Sequence, residues 1–131
     1  MVEVVRRGSG ELEESILRLL GEHQELSVSD VRERLSADLA HTTVMTALVR
    51  LREKGLLTRR RKGRSFIYAL QAPYADLPAL RAAIRMRSEL DAREERADVL
   101  ANFVAALGPD DEAVLRELLA RDRSNQDPDP S

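Results

Sequence analysis

Residues 41–70 read HTTVMTALVRLREKGLLTRRRKGRSFIYAL, and their apolar pattern changes its period at Gly55. Before this glycine, apolar residues recur at the spacing of one helix face, namely Val44, Ala47, Leu48 and Leu51. The pattern predicts a helix over 42–54, which Gly55 ends as a C′ residue. After the glycine, residues 57–62 and 64–70 alternate as strands do, and they predict a β-hairpin around a Lys-Gly turn.

Two further helices are predicted upstream of this stretch. The first covers 11–20 with Ser9 as its N-cap, and its apolar residues fall on one face, namely Leu12, Ile16, Leu19 and Leu20. The second is about two turns long and starts at Ser27 or Ser29, where Ser27 and Asp30 have the spacing of a weak capping box. Three short helices followed by a hairpin is the order of a winged helix-turn-helix domain.

The formal net charge of −2 hides an uneven distribution of charge. Residues 1–71 carry 13 Lys and Arg against 10 Asp and Glu, whereas residues 72–131 carry 8 against 13. Within the first part, residues 50–64 hold eight basic residues and one acidic residue. Such a cluster favours a polyanion as the partner, even in a chain that is acidic as a whole. A solvated basic loop is the alternative interpretation of the same cluster.

The composition argues against several other functions. The chain has no cysteine and two histidines, so no disulfide, reactive thiol or conventional zinc site is expected. We find no Gly-rich phosphate loop and no nucleophile with a base at a readable spacing, and we therefore predict no enzymatic activity, no cofactor and no metal. No apolar run reaches about 18 residues, and the first ten residues lack the apolar core of a signal peptide. A cytoplasmic protein without membrane insertion is expected.

In a winged helix-turn-helix domain, the third helix enters the major groove and the hairpin, or wing, lies over the adjoining backbone. Hydroxyl groups and one arginine on the outer side of the third helix are predicted to contact base edges, and they are Thr42, Thr43, Thr46 and Arg50. Cations of the wing are predicted to contact phosphates, and they are Arg60, Arg61, Lys62 and Arg64. The local alternatives are N-capping for the threonines, above all Thr42, and an ion pair on the helix surface for Arg50.

The second part of the chain is predicted to be helical. One helix is expected over 76–96, the apolar cluster at 99–107 continues or follows it, and a last helix begins at Asp110 after Gly108-Pro109. The predicted domains are a DNA-binding domain over 1–72 with a flexible arm at 1–9, a dimerisation domain over 73–123 and a disordered tail over 124–131. The apolar faces exceed what one short helical segment buries alone, so we assign dimerisation to Leu80, Ile84, Leu100, Phe103, Val104, Leu107, Leu115, Leu118 and Leu119.

The run HTTVMTALVRLREKGLL over 41–57, followed by GRSFIY over 63–68, resembles the BlaI/MecI penicillinase-repressor family. Members commonly show Tyr-Thr-Thr-Val-x-Thr-x-Leu-x-Arg-Leu-x-x-Lys-Gly-Leu and then a Gly-Arg wing turn that ends in Tyr. The match is specific over 41–70 and weaker over the rest of the span from about Gly10 to Arg121.

Two positions depart from the family pattern. Gly21 stands where Trp is common, so the packing beneath the domain must differ, and His41 stands where an aromatic residue is usual.

The resemblance implies a transcriptional repressor that binds a palindromic operator in double-stranded DNA as a homodimer. In one branch of the family, a membrane-linked sensor protease is associated with relief of repression, through cleavage of an Asn-Phe bond. Asn102-Phe103 is the matching dipeptide in this chain. A purely structural role also fits Phe103, because it belongs to the apolar face of its predicted helix.

Two other functions stay open at this point. A MarR- or PadR-like regulator gated by a small molecule needs an apolar pocket near the dimer junction, and the four aromatic residues of this chain provide little to line one. A winged-helix module that only binds proteins would not need eight basic residues on the third helix and the hairpin.

Overall fold

The computed structural model describes residues 9–36 and 38–126, and it is mostly helical with one small antiparallel sheet. In chain order the elements are α1 (Ser9–Glu22), β1 (Leu26–Ser27), α2 (Val28–Leu35), α3 (His41–Glu53), β2 (Leu57–Lys62), β3 (Ser65–Leu70), a 3-10 turn (Tyr74–Asp76), α4 (Leu77–Asp91), α5 (Arg96–Ala106) and α6 (Pro109–Gln126). The predicted fold class, mainly α with a β-hairpin wing, is confirmed. The chain divides into two compact units, the first ending at Met86 and the second beginning at Arg87.

The core of the first unit lies where α1, α2 and α3 meet the sheet. The inward face predicted for α3 is confirmed, because Val44, Ala47, Leu48 and Leu51 are all buried. The buried face of α1 is wider than predicted and includes Leu17, which is 1% exposed. This helix contacts α2 and α3 and also β3, so it buries side chains in more than one direction. Such surroundings widen the apolar stripe of a helix beyond a single face.

Both ends of α1 differ from the prediction. Ser9 is the first residue of the helix, and Gly21 lies inside it, one residue before its end at Glu22. A Cβ atom placed on Gly21 would lie 3.0 Å from the Cβ of Tyr74, within the space that the tyrosine occupies. Position 21 is therefore small because the chain after the sheet packs directly against α1, which is how the packing beneath the domain accommodates the missing tryptophan.

The ends of the next two helices show how local sequence fixes them. The capping box of α2 is confirmed, since Asp30 N donates to Ser27 Oγ at 3.1 Å and Ser27 N donates to Asp30 Oδ2 at 3.2 Å. The N-cap of α3 is Ala40 and has no side-chain cap bond, so N-capping by Thr42 is wrong.

At the C-terminal end of α3, Gly55 has φ +87°, Leu56 N donates to Leu51 O and Gly55 N donates to Arg52 O. This is a Schellman motif, as Gly55 predicted.

The hairpin is confirmed, with two corrections. Lys62 pairs with Ser65, so the turn residues are Gly63 and Arg64 rather than Lys-Gly, and β3 begins one residue late. Gly63 supplies the positive φ of +62° that a two-residue hairpin turn requires. A third strand, β1, was not predicted. It pairs with β3 through Leu26–Tyr68 and Ser27–Ile67, which gives the strand order β1-β3-β2.

In the C-terminal part of the chain, α4 is shorter than predicted and α6 is longer. The helix expected over 76–96 ends at Asp91, and Arg96 Nη1 donates to Asp91 Oδ1 at 2.8 Å across the short connection to α5. Pro109 opens α6 as its first residue. This helix continues to Gln126, so residues 124–126 of the expected tail are helical, with Ser124 Oγ bonded to Ala120 O. The remaining tail, 127–131, and the arm at 1–8 lie outside the described residues.

The two halves of α4 differ in their surroundings. Leu77 is buried in the core of the first unit, and Leu80 and Ile84 pack against that core. The division between the units consequently falls after Met86 rather than at 72/73, and Leu80 and Ile84, which were predicted to serve dimerisation, are half-buried against the core of the first unit. In the second unit, by contrast, none of the described side chains from 87 to 124 is buried.

Candidate nucleic-acid interface

The outer side of α3 brings the four predicted base-contacting residues together. Thr42, Thr43, Thr46 and Arg50 are all exposed. With Leu12, Glu13 and Ala47 they line an open depression of about 370 Å³ between α1 and α3. The ion pair considered for Arg50 is not found, since none of the salt bridges within the described residues includes it. The guanidinium is thus available to an outside acceptor.

The single carboxylate beside this depression is already paired. Lys54 Nζ lies 2.8 Å from Glu13 Oε2, and the side chain of Glu13 is only 12% exposed. The bond joins α1 to the end of α3 and neutralises the carboxylate that lines the depression together with the threonines. Lys54, one of the eight basic residues within 50–64, therefore forms its ion pair with an acid of the same chain.

Cations on the wing are held to different degrees, and the strand register explains why. Because side chains alternate along a strand, Arg59 and Arg61 share a face with their cross-strand partners Tyr68 and Phe66. The guanidinium of Arg59 lies 4.1 Å from the centroid of the Phe66 ring, and its Nη1 donates to the Tyr68 hydroxyl at 3.4 Å. Arg59 is therefore fixed against the sheet by an aromatic ring and a hydroxyl group.

On the opposite face of the wing, Arg60 forms an ion pair that the sequence did not suggest. Its Nε lies 2.5 Å from Glu25 Oε2, and its Nη2 lies 3.2 Å from Glu25 Oε1. The hydrogen bond from Arg60 lowers the pKa of the Glu25 carboxyl, and the charges of Arg60 and Lys62 add to this effect. The same hydrogen bond raises the pKa of Arg60. Both groups are therefore charged at neutral pH.

The other three predicted phosphate contacts lie at the tip of the hairpin. Arg61, Lys62 and Arg64 are exposed, and none of them belongs to a salt bridge within the residues that the structure describes. Arg61 makes one bond, from its Nε to Gly63 O at 3.3 Å, which leaves the rest of its donors free for an outside anion. We call Arg61, Lys62 and Arg64 the tip cations.

A groove between α3 and the wing contains residues that sequence reasoning missed. Its α3 side is formed by His41, Met45 and Val49, and its wing side includes Arg64 and Phe66, around an open volume of about 260 Å³. Met45 is 41% exposed although it is apolar. The signal was present in the sequence, since these three residues recur every four positions on α3 and are distinct from the buried set.

The described residues show no other kind of site. No three His, Cys, Asp or Glu side chains come together there in an arrangement that could hold a metal ion. None of the helices in the described ranges combines the length and the apolar character that crossing a membrane requires.

Comparison with known proteins agrees with the motifs of α3 and the wing. The family model for the penicillinase repressor matches residues 9–121. The transcriptional regulator BlaI of Mycobacterium tuberculosis is 36% identical over 116 residues, which cover 85% of this chain and 82% of that protein. Among solved structures, the DNA-binding domain of the repressor BlaI is 24% identical with a TM-score of 0.44, over 55% of this chain and 88% of that one. The antimony-specific repressor AntR is 21% identical with a TM-score of 0.43, over 68% and 76%.

The family match covers the first unit from residue 9 onward and extends through α5 into α6. It confirms the resemblance carried by 41–57 and 63–68. The chain therefore belongs to the penicillinase repressor family, and it is a transcriptional repressor of the BlaI type with a winged-helix fold.

Proposed function

We propose that the chain binds an inverted-repeat DNA operator as a homodimer, with α3 in the major groove and the wing on the adjoining backbone. The observation that carries this proposal is the exposure of Arg50 and the tip cations without a salt bridge. None of the salt bridges within the described residues includes these four cations, although the chain as a whole is acidic. Cations left exposed and unpaired in this way attract the phosphates of a nucleic acid.

The proposed roles follow from position on α3. Thr42 and Thr43 lie in its first turn, where Thr43 N donates to Ala40 O at 3.1 Å and both threonine side chains are exposed. They are suited to contact a phosphate or a base edge at the groove entrance. Thr46 lies one turn further on, and Arg50 one turn beyond Thr46. Arginine is the side chain best shaped for a bidentate contact with guanine, so Arg50 is assigned to base recognition.

Dimerisation is proposed for the second unit because its helices leave their apolar residues exposed. Several large apolar side chains of α5 and α6 are each 42–58% exposed, and they are Leu100, Phe103, Val104, Val114, Leu118 and Leu119. Leu115 adjoins them on α6, and Leu107 is the C-cap of α5; both are half-buried. Exposed apolar residues that follow the face of a helix are typical of an interface. A second copy of the chain is the proposed partner, since an inverted repeat requires two recognition helices.

Relief of repression by proteolysis at Asn102-Phe103 stays a proposal with a structural condition. The peptide bond lies inside α5, and Asn102 Nδ2 donates to Asp98 O one turn earlier at 2.8 Å. Proteases bind extended chains, so cleavage by a membrane-linked sensor protease requires α5 to unwind locally. In the single chain α5 buries none of its side chains, so local opening costs less there than in the proposed dimer, where a second copy covers Phe103.

Protection of DNA against cleavage tests the proposed function directly. Purified protein is footprinted on fragments of the source genome at two salt concentrations. We expect two protected half-sites with dyad symmetry, about 10 base pairs apart from centre to centre. Protection without sequence preference, lost at moderate salt, would contradict the proposal and favour the protein-interaction module instead.

Replacing Arg50 by alanine is expected to weaken operator binding by roughly 1–3 kcal/mol and to relax the base preference at one position of each half-site. The reason is the loss of a bidentate base contact while the phosphate contacts remain. Binding curves on the operator and on scrambled DNA measure the effect. Arg18→Ala serves as the matched control, because Arg18 is an exposed arginine on α1. Equal losses on both DNAs would exclude Arg50 from base recognition.

A further inference from the structure

In the ion pair between Glu25 and Arg60, the guanidinium binds the carboxylate in the same way as it would bind a phosphate. Two nitrogens of one guanidinium face the two oxygens of one carboxylate, at 2.5 Å and 3.2 Å. Arginine grips a phosphate with the same two-pronged arrangement. The N–H groups with which Arg60 could bind a DNA phosphate are therefore already directed at the carboxylate of Glu25, which is also a negatively charged acceptor.

The sheet holds the two residues in this position. Ile67 of β3 pairs with Arg60 on one side and with Ser27 on the other, so the side chains of these three residues share a face. Glu25 stands two residues before Ser27, just ahead of β1. The side chain of Arg60 therefore reaches over the central strand to meet Glu25, and the position of Glu25 is set by the pairing of β1.

We propose that Glu25 is a positioning residue that acts as an internal phosphate mimic and withholds Arg60 from DNA. This inference rests on the proposed function and deepens it, because it sets how many phosphates each wing neutralises. The wing presents the three tip cations to the backbone, and the fourth cation predicted from the sequence is neutralised within the protein. The affected partner is the sugar-phosphate backbone of any duplex, irrespective of its sequence.

Although the ion pair is exposed, a move of the Arg60 guanidinium from Glu25 to a DNA phosphate is unfavourable. Surface ion pairs are weak by themselves. If Arg60 moved to a phosphate, however, the carboxylate of Glu25 would be left unpaired beside a second negative charge, and like charges at a few ångströms repel. The carboxylate is also tethered to its partner by the strand pairing, which gives it a high effective concentration.

The test is a double-mutant cycle on the full chain, with E25Q, R60A and the double variant. Glutamine keeps the shape of the side chain and removes its charge. The dissociation constant for a random-sequence duplex is measured by fluorescence anisotropy from 50 to 200 mM NaCl. Glu22→Gln is the matched control, because it removes an exposed acid at the end of α1 that belongs to none of the ion pairs found within the described residues.

We expect E25Q to raise the affinity about eightfold for each bound protomer at 0.1 M salt, and to steepen the logarithmic salt dependence by about 0.9, the value of one added phosphate contact. R60A alone leaves the carboxylate of Glu25 unpaired and is expected to bind DNA more weakly than the unaltered chain, so the contact of Arg60 is judged in the E25Q background. In the E25Q background, the same substitution is expected to remove the whole gain.

Two results would overturn the inference while leaving the proposed function intact. One is a salt dependence of the E25Q/R60A double variant that is lower than that of the unaltered chain, which would place Arg60 on DNA in the unaltered protein. The other is an equal gain for E22Q and E25Q, which would reduce the effect of Glu25 to general charge repulsion. If none of the variants and not even the unaltered chain binds duplex DNA, the proposed function itself fails, and the inference with it.

Discussion

Simultaneous replacement of Arg61, Lys62 and Arg64 by alanine is expected to lower the affinity for duplex DNA by about two to three orders of magnitude for each bound protomer at 0.1 M salt. The three side chains are exposed and form no salt bridge within the described residues, and the one hydrogen bond lost with them joins Arg61 Nε to Gly63 O. Each phosphate that a cation neutralises releases counterions from DNA, and the combined loss is the product of three such contributions. The logarithmic salt dependence is expected to flatten by about 2.7.

The matched control removes three other exposed arginines that form no salt bridge within the described residues, namely Arg18, Arg85 and Arg123. Titration of labelled duplex at several salt concentrations compares the two triple variants, and circular dichroism confirms that both are folded. A salt dependence that stays unchanged in the wing variant would show that the hairpin tip does not contact the backbone. Loss of affinity in both variants alike would indicate a general charge effect instead of a local one.

The wing illustrates what sequence patterns predict well. The alternation over 57–70 predicts two strands because each strand repeats its environment every second residue, and Gly63 marks the turn because its position requires positive φ. The buried face of α3 is predictable for a similar reason, since helix geometry alone places its apolar residues on one side. The same geometry brings Thr42, Thr46 and Arg50 to the other side, one turn apart.

Other features of the site depend on contacts between distant residues, and the local pattern carries no signal for them. Glu25 and Arg60 are 35 positions apart, and they meet only because β1, a two-residue strand too short to show any period, pairs with β3. A count of basic residues therefore overestimates the charge available to DNA. Arg60 pairs with Glu25 and Lys54 pairs with Glu13, so the charges of two of the eight basic residues within 50–64 are neutralised by acids of the same chain.

The limits of apolar periodicity are clearest along α4. Leu80 and Ile84 fall on the apolar face of this helix, but the face does not identify what covers it. In the structure it is covered by the core of the first unit, and Ile84 Cδ1 comes within 3.4 Å of where a Cβ would stand on Gly55. The apolar residues of α5 and α6 have the same kind of pattern and no such cover within the described chain. The exposed fraction, which the sequence does not give, separates a core face from a candidate interface.

This difference leads to the second large effect, which is expected from Leu119→Glu. Leu119 is 58% exposed in the single chain, so the substitution costs the isolated protomer little. In a homodimer that buries this face, each copy would place an unpaired carboxylate in an apolar interface, and burying a charge without a partner is strongly unfavourable. We expect a monomer in analytical ultracentrifugation. Operator affinity is expected to fall by about 10²–10⁴-fold, the gain that linking two binding modules usually provides.

Ala120→Glu is the matched control for this substitution. It adds the same charge one residue later, and the helical repeat places it on the opposite side of α6 from Val114, Leu115 and Leu118. This variant is expected to remain dimeric and to bind the operator normally. A dimeric Leu119→Glu chain with unchanged operator affinity would exclude this face of α6 from the interface. A monomeric chain that still binds the full operator tightly would mean that one winged helix suffices, because the second recognition helix would then add nothing to the complex.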